Sequence, residues 1–199
     1  MRGPSRSLAL AAVALVLATA PAFSQIAVRG ETVYTMAGPA LKDGVVLVKD
    51  GKIEKVGAGL AVPAGYRERR AQVVTPGLID AHTVVGLAGY LNQPQDQDQL
   101  EPSAPIQPEL RAIDAYNPEE RLVGWLRGFG VTTIHTGHGP GALVSGQTMI
   151  AKTRGKDVDA AVVVPVAMVA ATLGSGARAT EEGKSPGRGP RRSPSCGPS

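Results

Sequence analysis

Cysteine occurs once in these 199 residues, at Cys196, so no disulfide can form within the chain. Aromatic residues make up only 4%. A core must therefore be built from Val, Leu, Ile and Ala. The apolar runs Leu8–Ala20 and Ala160–Leu173 both fall short of the ~20 residues that a membrane-spanning helix needs. Strong charge is missing from the middle of the chain. The formal net charge is +4, of which Arg2 and Arg6 supply +2 and the stretch from Arg178 onward +3, leaving −1 between them. The basic character belongs to the ends, which gives no ground for a nucleic-acid partner. Gly137-His138-Gly139-Pro140-Gly141 has neither the ending of a P-loop nor the spacing of a dinucleotide fingerprint. No Gly-x-Ser-x-Gly element and no Cys-His pair is present.

The two ends carry signals of their own. Residues 1–24 have the form of a signal peptide. Arg2 and Arg6 make a basic start, Leu8–Ala20 is a short apolar run, and Ala22-Phe23-Ser24 puts small residues where a signal peptidase cuts. Gln25 becomes the expected new N-terminus, and the expected location is periplasmic or secreted, with no stable membrane anchor. Residues 178–199 are dominated by Gly, Pro, Arg and Ser. Two readings stay open there: a disordered basic tail, or out-of-frame translation of a GC-rich gene.

Between the ends, residues 26–74 read as a small β unit. Val33–Met36, Val45–Lys49, Lys52–Val56 and Gln72–Val74 are strand candidates. Asp50-Gly51 between two β-rich runs predicts a tight hairpin. Leu78–His82 reads as a strand buried on both faces. Residues 92–117 are polar, with Gln93, Gln95, Gln97 and Gln99 alternating. That loop is too long for ordinary filler and reads as a functional lid or a mobile surface insertion. Asn117-Pro118-Glu119-Glu120 predicts a helix start, with Asn117 capping. Leu122, Trp125, Leu126 and Phe129 would form its buried face. Val131–His135 is a β-branched strand, so the order is β, long loop, α, β. Gln147–Lys152 is a further strand candidate, and the apolar run Ala160–Leu173 reads as buried core.

The chemistry rests on three histidines: His82, His135 and His138. His82 and His135 fall at the expected C-terminal ends of consecutive parallel strands, the edge at which α/β sheets build sites. Neutral imidazole binds zinc readily, and a catalytic zinc needs about three protein ligands. His82 and His135 are the candidate metal ligands, against the alternative of satisfied core histidines. His138, in a glycine-rich loop, is expected at the surface. Asp80 is expected to cap its strand. Two residues after His82, where a second histidine would complete a His-x-His pair, the chain has Val84.

The segment Val74-Thr75-Pro76-Gly77-Leu78-Ile79-Asp80-Ala81-His82 resembles the first-strand signature of the metal-dependent amidohydrolase superfamily, especially its imidazolonepropionase-like branch. Gly44–Gly57 is similar to that family's N-terminal β-sandwich piece, and Gly130–Ile134 to its second barrel strand. The resemblance implies an α/β fold: residues 25–74 as a small β-sandwich and residues 75–177 as the N-terminal part of a (β/α)8 TIM-like barrel, left incomplete. It implies a hydrolase of carbon–nitrogen non-peptide bonds, with divalent metal, zinc by expectation, activating water against a small-molecule amide, lactam or ester. Only His82 carries over as a ligand, because the family's second histidine falls at Val84. A barrel alone takes ~250 residues, so the chain is expected to be the front part of such an enzyme and inactive alone. The other reading is a non-catalytic exported binding protein on the same scaffold.

Overall fold

The computed structural model of the chain describes residues 25–91, 93–101 and 103–177. The signal-peptide and basic-tail readings, and Cys196, lie outside the described residues. The chain divides into two compact units that meet between Pro76 and Gly77. Among the described residues no helix is long and apolar enough to cross a membrane.

The first unit holds β1 (Ile26–Val33), β2 (Leu41–Lys49), β3 (Lys52–Ala58) and β4 (Arg67–Val74), in the order β3-β2-β1-β4. β1 runs antiparallel to β2 and parallel to β4. The Asp50-Gly51 hairpin forms as expected. Lys49 pairs with Lys52, and both turn residues take positive φ, 51° at Asp50 and 74° at Gly51. The expected strand at Val33–Met36 is displaced toward the N-terminus. Ile26–Arg29 find partners in Val45–Val48, so the strand runs from Ile26 and ends at Val33. Met36, at φ 62°, lies in the connection to β2. Ala27, Val45 and Leu47 are buried and take Leu60, Val62 and Tyr66 against them. The sandwich implied by the resemblance is represented here by one four-stranded sheet. Its edge strand β4 carries Arg67, Glu68, Arg69 and Arg70, charges that discourage further strand pairing.

The second unit contains β5 (Leu78–Thr83), a short helix α1 (Ala112–Ala115), α2 (Arg121–Gly128), β6 (Val131–Thr136), β7 (Val144–Gln147), β8 (Met149–Lys152), α3 (Val158–Ala161), β9 (Val162–Val164) and β10 (Val169–Ala171). Its main sheet has the order β5-β6-β8-β9, and β10 pairs with β7 in a separate ribbon. β5 and β6 are parallel, with α2 between them in sequence and resting against β6. The expected βαβ unit is therefore present. β8 then runs antiparallel to β6, and β9 antiparallel to β8. No helix separates β6 from β8, and parallel pairing needs a long crossover, usually helical. The result is a mixed α/β sheet in which the described residues close no barrel.

One face of β6 makes the core. Ile134 pairs with Ala151 and Thr136 with Met149, and all four are buried. Leu87, Ala112, Tyr116 and Ala161 complete the cluster. The long polar loop is anchored at its end, because it delivers Ala112 and Tyr116 to the core. Four other expectations are corrected. β5 is not buried on both faces: it is an edge strand, and Ile79 is 71% exposed. α2 buries Val123, while Trp125 and Phe129 meet on the exposed side, ring centroids 4.8 Å apart and planes tilted by 57°. Glu120, not Asn117, caps α2, accepting from the Leu122 N–H at 2.7 Å. Asn117 is occupied one turn earlier, where its side-chain oxygen accepts from the Glu119 N–H at 3.0 Å. The run Ala160–Leu173 is not a continuous core segment. It breaks into α3, β9 and β10, and Val163, Val166, Met168 and Leu173 stay exposed.

The hairpin gives a clean test of backbone strain. A Cβ at Gly51 would meet nothing within 4 Å, so crowding plays no part. Gly51→Val is expected to destabilise the chain by about 1–2 kcal/mol, the cost of a left-handed conformation for a residue with a Cβ, as read by urea unfolding. An unchanged midpoint would contradict this account of the turn.

Candidate functional site

The pairing of β5 with β6 positions the candidate site. Asp80 lies opposite Ile134 and Thr83 opposite Thr136, with a register shift between them. Two residues of β5, Ala81 and His82, therefore share the space opposite His135. The two histidines come together at the C-terminal end of the parallel pair, ring centroids 6.4 Å apart and edge-on at 63°. His82 is exposed. Asp80 acts locally, as expected, its carboxylate accepting from the His82 N–H at 3.2 Å.

His135 has protein partners on both ring nitrogens. Nδ1 stands 2.9 Å from the Ala81 carbonyl oxygen, and Nε2 stands 2.6 Å from Thr148 Oγ1. A carbonyl can only accept, so Nδ1 carries the hydrogen and Nε2 faces the threonine hydroxyl. Thr148 is the residue that sequence reasoning missed. It is thirteen positions from His135 in the chain, and nothing in its local pattern marks it. Val84 offers no coordinating atom. Its carbonyl instead accepts from the Leu87 and Ala88 N–H groups, both at 3.0 Å, and starts the turn after β5.

Set against a zinc centre, these residues do not fit. A neutral imidazole ligates through its free lone pair, and the Nε2 lone pair of His135 is occupied by Thr148. That leaves His82. Among the described residues no group of three or more His, Cys, Asp or Glu side chains could hold a metal ion.

His138 is a correction to the sequence reading. It is 7% exposed rather than on the surface. The glycine-rich loop is held down, with the Gly137 N–H donating to the Thr83 carbonyl at 3.2 Å and the Gly139 N–H to the Gln99 carbonyl at 2.9 Å. Both ring nitrogens of His138 lack hydrogen-bond partners, as do the buried Tyr116 hydroxyl and Ser145 Oγ. Burial pushes the His138 pKa below 6.5; the Gln99 main chain lies near enough to oppose this but not in hydrogen-bonding geometry. Burial likewise pushes the Tyr116 hydroxyl up to about 12. Gly146, at φ 130°, makes room for the histidine: a Cβ there would stand 2.7 Å from His138 Nε2 and 2.6 Å from the Leu110 carbonyl oxygen.

The structure superposes on an amidohydrolase from Thermotoga maritima MSB8, with a TM-score of 0.68 and 28% sequence identity over 76% of this chain and 40% of that one. The likeness is to an amidohydrolase. The chain spans well under half the length of that protein. An A. niger ochratoxinase matches 37% of this chain and 20% of its own at 19% identity, and an N-acetyl-D-glucosamine-6-phosphate deacetylase from Mycobacterium smegmatis matches 59% of this chain and 37% of its own at 18%. Their TM-scores of 0.31 and 0.32 are too low to argue from. No protein-family model and no curated protein matches the sequence. The amidohydrolase-like portion thus presents two adjacent histidines at one sheet edge and a third buried beneath the neighbouring loop.

The buried imidazole sets a pH dependence. Its folded-state pKa is lowered, so its contribution to stability is complete above the unfolded value of 6.5 and is lost as pH falls from there toward the folded value. The chain is expected to lose stability on acidification from pH 7.5 to 5.5, with His138→Gln losing less. Urea unfolding at the two pH values measures this. Equal losses in wild type and variant would remove His138 as the cause.

Proposed function

We propose that the chain forms the N-terminal portion of an amidohydrolase-type hydrolase that cleaves carbon–nitrogen bonds other than peptide bonds in a small amide or lactam, with the carbon–oxygen bond of a small ester as the other candidate substrate. The observation that carries this reading is the superposition on the Thermotoga amidohydrolase across three-quarters of the chain. The run Val73–His82 and the β5–α2–β6 unit support it, since they put a histidine at the strand end where such folds place chemistry. Membership of the imidazolonepropionase-like branch, a β-sandwich at residues 25–74 and an incomplete (β/α)8 barrel at residues 75–177 belong to the same proposal. So does export to the periplasm or medium by residues 1–24. The near-neutral middle of the chain agrees with a small-molecule partner rather than nucleic acid.

The family resemblance also implies a divalent metal, zinc by expectation, with His82 as its carried-over ligand. The described residues do not complete that centre, and no catalytic step is assigned to it.

The test compares two purified proteins, the 199-residue chain and the product of the longest reading frame that contains it. Each is offered a panel of N-acyl amides, lactams and esters, with and without added zinc. The longer product is expected to hydrolyse at least one class, and the 199-residue chain none. Saturable binding without turnover by the longer product would instead favour an exported binding protein. Turnover by the short chain alone would refute its expected inactivity.

A further inference from the structure

The histidine pair at the β5–β6 edge invites a metal, but its hydrogen bonds describe another role for one member. We infer that His135 is a clasp joining β5, β6 and the start of β8, and that His82 is the only imidazole of the pair open to coordinate an ion. The inference stands on the geometry of these residues and does not depend on the hydrolase reading.

The clasp answers a defect in the ladder. Between Asp80 and Thr83 the register shifts, so that two residues of β5 lie opposite one of β6. Such a shift takes backbone groups out of regular pairing and leaves a carbonyl free to accept from another donor. His135 is the residue opposite the shift, and its Nδ1 reaches the Ala81 carbonyl at 2.9 Å. The donation fixes the tautomer and aims the Nε2 lone pair away from β5.

Thr148 holds the other side of the ring, and Thr148 is itself immobilised. Its N–H donates to the Met168 carbonyl at 2.8 Å, and its own carbonyl accepts from the Ala167 N–H at 2.8 Å. Its hydroxyl also accepts from the Met168 N–H at 3.2 Å. The hydroxyl also stands 3.3 Å from the Met168 carbonyl oxygen, a longer contact than its 2.6 Å to His135 Nε2. With these four contacts to the segment before β10, the threonine cannot swing aside at little cost. A zinc ion on Nε2 would sit about 2.1 Å from that nitrogen, in the place held by Thr148 Oγ1 at 2.6 Å. Zinc on His135 therefore requires the clasp to open. Val84, at the position where a second ligand would follow His82, supplies nothing in its stead.

The experiment uses the full chain labelled with ¹⁵N at its histidines. Proton–nitrogen correlation spectra are expected to show His135 as the neutral Nδ1–H tautomer. Zinc chloride is expected to shift the His82 signals while leaving those of His135 in place. Thr148→Ala should free the Nε2 lone pair, make the His135 signals respond to zinc, and raise zinc affinity on the order of tenfold, the usual scale for a neighbour that governs a ligand. Thr148→Ser, which keeps the hydroxyl, should behave as wild type. A zinc-induced shift at His135 Nε2 in the wild-type chain would overturn the inference, as would equal zinc affinity in wild type and a folded Thr148→Ala. Should Thr148→Ala not fold, the wild-type titration alone decides.

Discussion

β6 alternates, and that alternation governs the second unit. Ile134 and Thr136 point to one side and are sealed against Ala151, Met149, Leu87 and Tyr116. Thr133 and His135 point to the other, where Lys152 Nζ donates to Thr133 Oγ1 at 2.9 Å and Thr148 meets His135. The period of two leaves no choice: with Ile134 in the core, His135 must face the other side, beside Thr133. β8 on one flank is held by an unbroken ladder and β5 on the other by a ladder interrupted at its register shifts, and side-chain bonds from these same residues add to both. Loss of the Ile134 side chain would leave a cavity where the whole unit converges, a class of defect that costs about 2–5 kcal/mol for Ile→Ala.

The parts of this arrangement that could be read from sequence are the local ones. Asp50-Gly51 announced its hairpin because the turn's torsion angles are demanded by adjacent residues. Val131–His135 announced a strand because β-branched residues favour it, and the same logic placed His82 and His135 at neighbouring strand ends. What failed depended on distant partners. α2 had two apolar stripes to choose from, and the β6 surface selected the one with Val123 over the one with Trp125 and Phe129. The glycine-rich loop looked exposed by composition, yet Thr83 and Gln99, far apart in sequence, pin it and bury His138. Thr148 carried no sign of its bond to His135, because only the folding back of β8 on β6 makes them neighbours.

The site itself shows how a likeness in fold and a likeness in chemistry separate. The superposition on the Thermotoga amidohydrolase covers most of this chain, and β5, which carries His82 near its C-terminal end, precedes the helix and parallel strand as expected. At the level of atoms the edge is organised around hydrogen bonds instead. Asp80 serves the His82 backbone, Ala81 serves the His135 ring, and Thr148 closes the other side. Of the two rings, His135 ties neighbouring segments together, and the His82 imidazole is the one left unspent.

Gly146 carries a consequence for how this sequence can change over time. A Cβ added there would run into the His138 ring and the Leu110 carbonyl, and its φ of 130° is one that residues with a side chain rarely adopt. The two positions are therefore bound in one lineage. A larger residue at 146 is closed to any descendant that keeps the histidine, and shrinking 138 first would leave a hollow beneath the loop without relaxing the torsion at 146. Drift at either position must pass through a less stable intermediate, so the pair should persist together for reasons of space and backbone torsion, whatever chemistry the neighbouring edge performs.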